Sequence, residues 1–381
     1  MLQIIIIGFS LFLWVQSFGQ KSPAYEKADS LLKIMTLEEK VGQLHQVSNP
    51  FAPTGPIAPQ GDIQQQIREG KVGSMLNIVG ALRTRQLQEL AMQSRLKIPL
   101  LFGQDVLHGF RTTFPIPLAE AASWDLTAIE KSARIAAIET SAAGIHWTFA
   151  PMVDIGRDPR WGRVMEGAGE DAYLGSLIAA ARVRGFQGKG LGTQEAIMAT
   201  AKHFAGYGAA VGGRDYNSVD MSERTLREVF LPPFKAAVDA GVATVMNSFN
   251  DLNGIPATGN AFLQRAILKN EWGFSGFVVT DWATISEMIT HGYAKDLQEA
   301  ALKAITAGSD MDMESRAYLP YLPDLVKTGK VPLALVDDAV KRILIKKIEM
   351  GLFENPFRYC NEQKEKQEWN NTTHLIHARD M

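Results

Sequence analysis

Short apolar runs recur along the chain, each followed by a polar loop and then a helical pattern. They fall near residues 43–47, 72–79 (VGSMLNIV), 99–105 (PLLFGQD), 147–154 (WTFAPMVD), 196–204 (AIMATAKHF), 242–250 (VATVMNSFN), 276–282 (GFVVTDW) and 307–313 (AGSDMDM). Runs this short, bounded by Gly and polar loops, read as strands covered on both faces. Length alone leaves two options, because 381 residues can bury one big α/β barrel or two medium domains. The strand–helix alternation predicts a parallel sheet, and eight strands is the number a TIM-type (β/α)8 barrel needs. No internal repeat points to a solenoid instead.

The intervening segments carry helix signals. Thr36-Leu37-Glu38-Glu39 matches a capping box. Asp125 reads as an N-cap, with Gly144 closing its helix. Ser222 opens another helix, which Pro232-Pro233 interrupts. Val336, Val340, Ile343 and Leu344 make an apolar stripe at helical spacing that stops at Gly351. Beyond Phe357 the tract RYCNEQKEKQEWNNTTH turns polar and reads as a linker, and the final HLIHARDM reads as the beginning of a helix. At the other end, residues 2–19 form an apolar run without a charged side chain, short for a membrane span, and read as a signal peptide cleaved near Gly19 or Gln20. An uncleaved anchor is the alternative, since no Lys or Arg precedes the run. Cleavage predicts an exported protein, periplasmic or secreted, without stable membrane association.

Charge narrows the partners. Against 41 acidic residues stand 39 basic ones, a net charge of −2, so there is no basic footprint for nucleic acid. Cys360 is the single cysteine, which excludes an internal disulfide and any Cys-based metal cluster. No His-x-x-x-His, Walker or dinucleotide pattern occurs, so neither a metal nor a nucleotide cofactor is expected.

Placing the strands collects polar groups at their C-terminal ends: Asp105 and His108, Asp154, Lys202 and His203, Asn247 and Asn250, Asp281, Asp310 and Asp312. In a barrel that edge holds the chemistry. Taken alone, a buried His or Lys is usually a satisfied structural residue, and Asp281 fits a cap on the next helix as well as a catalytic group. Together, such a ring supplies donors and acceptors in fixed directions, which suits a polyhydroxylated ligand such as a sugar.

Four stretches then carry a resemblance: GQDVLHGFRTTFPIPLAEAASWD (103–125), FAPMVDIGRDPRWGRVMEGAGEDAYL (149–174), KHFAGYGAAVGGRDYNSVDMS (202–222) and GFVVTDWATI (276–285). In this order they resemble glycoside hydrolase family 3, and within it the periplasmic β-glucosidase-like members. The resemblance covers the family's first domain, about residues 25–355, and implies hydrolysis of terminal β-D-glucosyl residues by a retaining mechanism. It implies Asp281 as nucleophile, with Asp105, Arg163, Lys202, His203 and Arg214 holding sugar hydroxyls and Met246 and Trp282 as apolar walls. Arg157 and Arg160 are expected to form ion pairs with the nearby acids Asp154, Asp158, Glu166 and Glu170.

Two departures from the family matter. Phe249 stands where many members have Tyr. In two-domain members the general acid/base is a Glu on a following α/β sandwich domain, and this chain stops where that domain should begin. Residues 356–381 are then a linker and the truncated start of that missing domain. The His that the N-acetylglucosaminidase branch uses on a barrel loop is not found between Ala205 and Asp220. A sugar-binding fragment with impaired catalysis is the second reading.

Overall fold

A computed structural model describes residues 22–57 and 60–381, so the predicted signal peptide lies outside the described residues. The strands are β1 (His45–Ser48), β2 (Ser74–Leu76), β3 (Leu101–Gln104), β4 (Trp147–Thr148), β5 (Thr200–Phe204), β6 (Thr244–Asn247), β7 (Asp251–Leu252), β8 (Ile255–Pro256), β9 (Phe277–Val279) and β10 (Asp312–Met313). One parallel sheet runs β10-β1-β2-β3-β4 and a second runs β5-β6-β9. Parallel bridges join their edges, Trp147 to Met198 and Met152 to Lys202 on one side and Val279 to Met311 on the other. The eight parallel strands thus follow one another round a (β/α)8 barrel in chain order, each at the position its apolar run predicts. β7 and β8 form a small antiparallel hairpin in the loop after β6.

Local chemistry sets the helices. Thr36 Oγ1 accepts the Glu39 N–H at 3.2 Å while Glu39 Oε2 accepts the Thr36 N–H at 2.9 Å, a complete capping box. Asp125 caps Leu126–Ala142, and Gly144 follows it with φ 85°. Ser222 caps a short turn, a wide helical turn spans Leu226–Phe230, and the two prolines then open Pro232–Asp239, where a missing N–H costs nothing. In Leu333–Glu349 the predicted stripe of Val336, Val340, Ile343 and Leu344 is fully buried.

Inside the barrel the floor beneath the strand ends is aromatic. Trp147 is fully buried between Phe149 and Phe277, which meet it edge-on at centroid distances of 4.8 and 5.2 Å. Its indole N–H donates to Thr200 Oγ1 at 2.7 Å and Thr244 Oγ1 at 2.9 Å. Those bonds remove the cost of an unpaired buried donor and tie β4 to β5 and β6.

The tract read as a linker folds against the barrel instead. Asn361 and Asn371 cap helices Glu362–Glu368 and Thr372–Asp380. The buried Glu139 carboxylate accepts the backbone N–H groups of Arg111 and Thr112, the Thr112 hydroxyl, and His374 Nδ1 at 2.9 Å. Trp369 lies 4.2 Å from the Arg111 guanidinium, and Glu365 Oε2 accepts the Ala81 N–H that opens Ala81–Ala91. Polar composition hides this because the tract docks by capping and charge pairing rather than by an apolar face. His374→Ala is predicted to cost about 1–3 kcal/mol in a urea titration, by removing a donor from a buried carboxylate. Leu375→Ala, at a half-exposed position, should change stability by less than about 0.5 kcal/mol.

Candidate active site

Alternation along β5 would send Lys202 and His203 to opposite faces, yet both reach the mouth of the barrel. The register of β5 against β6 shifts between Ala201 and Phe204, and such an irregularity re-aims side chains. Lys202 Nζ donates to Asp105 Oδ1 at 2.7 Å, beyond the end of β3, and is buried while Asp105 is one-third exposed. His203 is fully buried. Asp154 Oδ2 accepts its backbone N–H and meets its Nδ1, each at 2.8 Å. Its other nitrogen, Nε2, stands 3.3 Å from Asp281 Oδ2 and 3.2 Å from an Arg163 NH2 group.

Asp281 follows β9 and does not cap the next helix, Thr284–Thr290; there the Ser315 hydroxyl receives the Ile285 N–H. Its backbone N–H donates to Asn247 Oδ1 at 3.2 Å, and its Oδ1 accepts the Trp282 N–H at 2.6 Å. Oδ2 is left facing His203. Trp282 donates its indole N–H to Pro56 O at 3.0 Å, so the loop after β1 reaches the site. Met246 is buried in the apolar interior against which Trp282 packs.

Burial governs the ionisation. It pushes the Asp281 carboxyl from its ordinary 3.8 up to about 6, against the opposing pull of Lys202, the Trp282 N–H and Arg163. Burial also pushes Asp154 up to about 8. His203 is driven well below 6.5 by burial and by the charges of Arg163 and Lys202, so at neutral pH it is an uncharged hydrogen-bonding group, not half of an ion pair. Together these groups set a partly protonated carboxylate beside a fixed cation, ringed by donors and acceptors.

Several expectations need correction. Arg163 holds Glu166 in a two-pronged pair at 2.7 and 2.9 Å, with its guanidinium 5.6 Å from the Tyr207 ring centre, so the ion pair expected for its neighbours includes it. Arg160 does pair with Asp158, at an exposed position, whereas Arg157 forms no ion pair among the described residues. Arg214 is exposed and bonds to none of the other site groups among the described residues. Of the strand-end polar groups, Asp310 pairs with Lys269 at 2.6 Å, and Asp312 accepts the N–H groups of Ser315, Ala317 and Tyr318. His108 Nδ1 meets Phe114 O at 3.0 Å and Asn250 Nδ2 donates to Asp251 O at 3.0 Å, each in its own loop. These four serve the scaffold. Among the described residues no group of three or more His, Cys, Asp or Glu could hold a metal ion.

Tyr207, Tyr216 and Glu287, which the sequence did not single out, join Phe249 in completing the site. Tyr207, Tyr216 and Phe249 form an aromatic wall beside His203, with Tyr216 and Phe249 ring centres 4.4 Å apart. The signal for the three aromatics was position, since each lies within a few residues of a charged or amide candidate. Glu287, six residues past Asp281, is raised to about 7 by burial and by the Asp281 charge.

The family model for the N-terminal domain of glycosyl hydrolase family 3 matches residues 36–345. The chain belongs to this family. A periplasmic β-glucosidase of Salmonella typhimurium is 44% identical over 351 residues, covering 92% of this chain and 45% of the relative. A putative β-xylosidase of Formosa agariphila is 33% identical, over 93% of this chain and 50% of that one. In structure, a Listeria innocua β-glucosidase solved with isofagomine matches with a TM-score of 0.89 and 40% identity, over 93% of this chain and 50% of the other. The family 3 chain thus spans about half the length of these relatives.

Asp281 ionises at a cost in the folded state. Below 3.8 it is protonated whether folded or unfolded and contributes nothing. Between 3.8 and about 6 the folded state keeps a proton that the unfolded state has lost, so stability falls as pH rises, and the penalty is complete above about 6. At about 1.4 kcal/mol per unit the full penalty is about 3 kcal/mol. Asp281→Asn should therefore raise the thermal midpoint relative to the unsubstituted protein at pH 8 and leave it nearly unchanged at pH 3.5, as read by calorimetry.

Proposed function

We propose that this chain carries the glycone subsite and the nucleophile of a retaining β-glucosidase. The observation that carries the reading is the arrangement at the mouth of the barrel. One carboxylate oxygen of Asp281 is free of backbone bonds and is surrounded by Lys202, His203, Arg163 and Asp105. The names of the Salmonella and Listeria relatives support glucose as the sugar removed, and the former's name supports a periplasmic location.

In this mechanism Asp281 Oδ2 attacks the anomeric carbon as the aglycone oxygen leaves, and water then releases the glycosyl–enzyme. Lys202 and Asp105 bind adjacent hydroxyls. Bonds to ionised partners tighten as positive charge grows at the anomeric centre, so they stabilise the transition state more than the ground state. Trp282 and Met246 close the apolar side. Following the family resemblance, we assign the proton donor to a Glu outside these residues, about 5 Å from Asp281 in the assembled site. A general acid typically contributes roughly a hundred- to ten-thousand-fold. Without it, aglycones that need no protonation should be cleaved preferentially.

The test uses an activated aryl β-glucoside, with and without azide. Unsubstituted protein should release the aryl group and accumulate a glycosyl adduct detectable by mass spectrometry, and Asp281→Ala should do neither. Asp105→Ala should weaken glucose binding at least tenfold by calorimetry. Saturable glucose binding without any adduct would replace this reading with that of a sugar-binding module. No binding and no adduct would remove both.

A further inference from the structure

Asp154 contacts no position where a sugar could sit, since it is buried behind His203. Its Oδ2 accepts the His203 backbone N–H and also faces His203 Nδ1, each at 2.8 Å. An ionised carboxylate oxygen only accepts, as does a carboxyl oxygen whose proton sits on its neighbour, and in either state Nδ1 brings the proton to Oδ2. Should the carboxyl itself be protonated, the proton has Oδ1 to sit on, an atom that no group among the described residues bonds. At the other end of the ring, Arg163 NH2 lies 3.2 Å from Nε2, and a guanidinium can only donate. Both ends of the imidazole therefore require the same tautomer.

We infer that Asp154 is a positioning residue that fixes His203 with its proton on Nδ1, so that a lone pair at Nε2, rather than an N–H, faces Asp281 Oδ2. Two lone-pair-bearing atoms then stand 3.3 Å apart. An N–H at that place would bond the carboxylate, hold it ionised to lower pH and quench the oxygen that has to attack. His203 also meets Arg163 and Lys202, with Glu166 behind Arg163. Asp281 further feels Lys202, Arg163, Asp105 and Glu287. None of these sets the imidazole tautomer from the Nδ1 side. The same device, a buried carboxylate dictating which imidazole nitrogen is free, operates in hydrolytic triads. Here it would tune a carboxylate nucleophile. The consequence for rate rests on the reading of Asp281 as nucleophile, whereas the tautomer does not.

Two substitutions separate this role from a merely structural one. Asp154→Asn can place its carbonyl at Oδ2, accept both N–H groups and keep the tautomer. Asp154→Ala removes the acceptor and frees the proton to move to Nε2, where Asp281 accepts it. Protein labelled with 15N-histidine, with His203→Gln to assign the resonance, reports the tautomer through two-bond nitrogen–proton couplings at pH 7.5. The expected result is Nδ1–H in the unsubstituted protein and in Asp154→Asn, and Nε2–H in Asp154→Ala. In the aryl-glucoside assay the acid limb of adduct formation should move down by about one pH unit in Asp154→Ala, with a slower maximum, and stay in place in Asp154→Asn. An Nε2–H tautomer in the unsubstituted protein overturns the inference, as does an unchanged tautomer in Asp154→Ala. If Asp154→Ala does not fold, the first two tautomers still decide it. Failure of the unsubstituted protein to form an adduct would count against the proposed function alone.

Discussion

Dehydration of charge is the constraint on which the mouth of this barrel depends. Removing an ion from water costs several kcal/mol, so each buried ionic group has to be paired, hydrogen-bonded or neutralised. The chain uses each solution in turn. Lys202 is paired with Asp105 and Arg163 with Glu166. His203 stays uncharged between Asp154 and Arg163. Asp281 is left with a backbone N–H on one oxygen and, among the described residues, no cation at hydrogen-bonding distance, and its raised proton affinity records its burial. A site built this way gives up stability at one carboxylate while the surrounding charges stay satisfied.

Rigid support comes from beneath. The Trp147 indole ties β4 to β5 and β6 through two threonine hydroxyls, and Phe149 and Phe277 hold its faces. The strand ends that carry Lys202, Asn247 and Asp281 start from that floor, and Asn247 in turn holds the Asp281 backbone. On the flank, Phe249 packs between Tyr216 and Tyr207. Its ring brings no hydroxyl to the wall and meets both tyrosines at a tilt.

Strand placement was legible because both faces of a barrel strand are covered, which writes a continuous apolar run into the sequence. The polar groups at strand ends were legible as a set but not one by one. Asp310 and Asp312 look like site residues in SDMDM, yet Lys269, arriving from elsewhere in the fold, claims the first and the backbone just after β10 turns back to claim the second. The convergence of Lys202 and His203 could not be read at all from a period of two, because it depends on a local shift of register. Glu166 was visible three residues beyond Arg163 but was attributed to the wrong arginines. Of the two C-terminal helices only the last was legible, in HLIHARDM; Glu362–Glu368 escaped notice because caps and charge pairs, unlike apolar stripes, leave little periodicity.

Trp282 carries one more implication. Its indole hydrogen-bonds Pro56 O, and a β-carbon at Gly55 would come within 2.8 Å of the ring, so side chain and loop fit together as one unit. A ligand that stacks on the indole would orient that loop in the same event, and the conformational entropy lost there is lost once for both. Binding of such a ligand should then carry a heat-capacity and entropy signature larger than the stacked ring area alone accounts for. The loop after β1 is thereby coupled to whatever occupies the indole face, although it contributes no charge of its own.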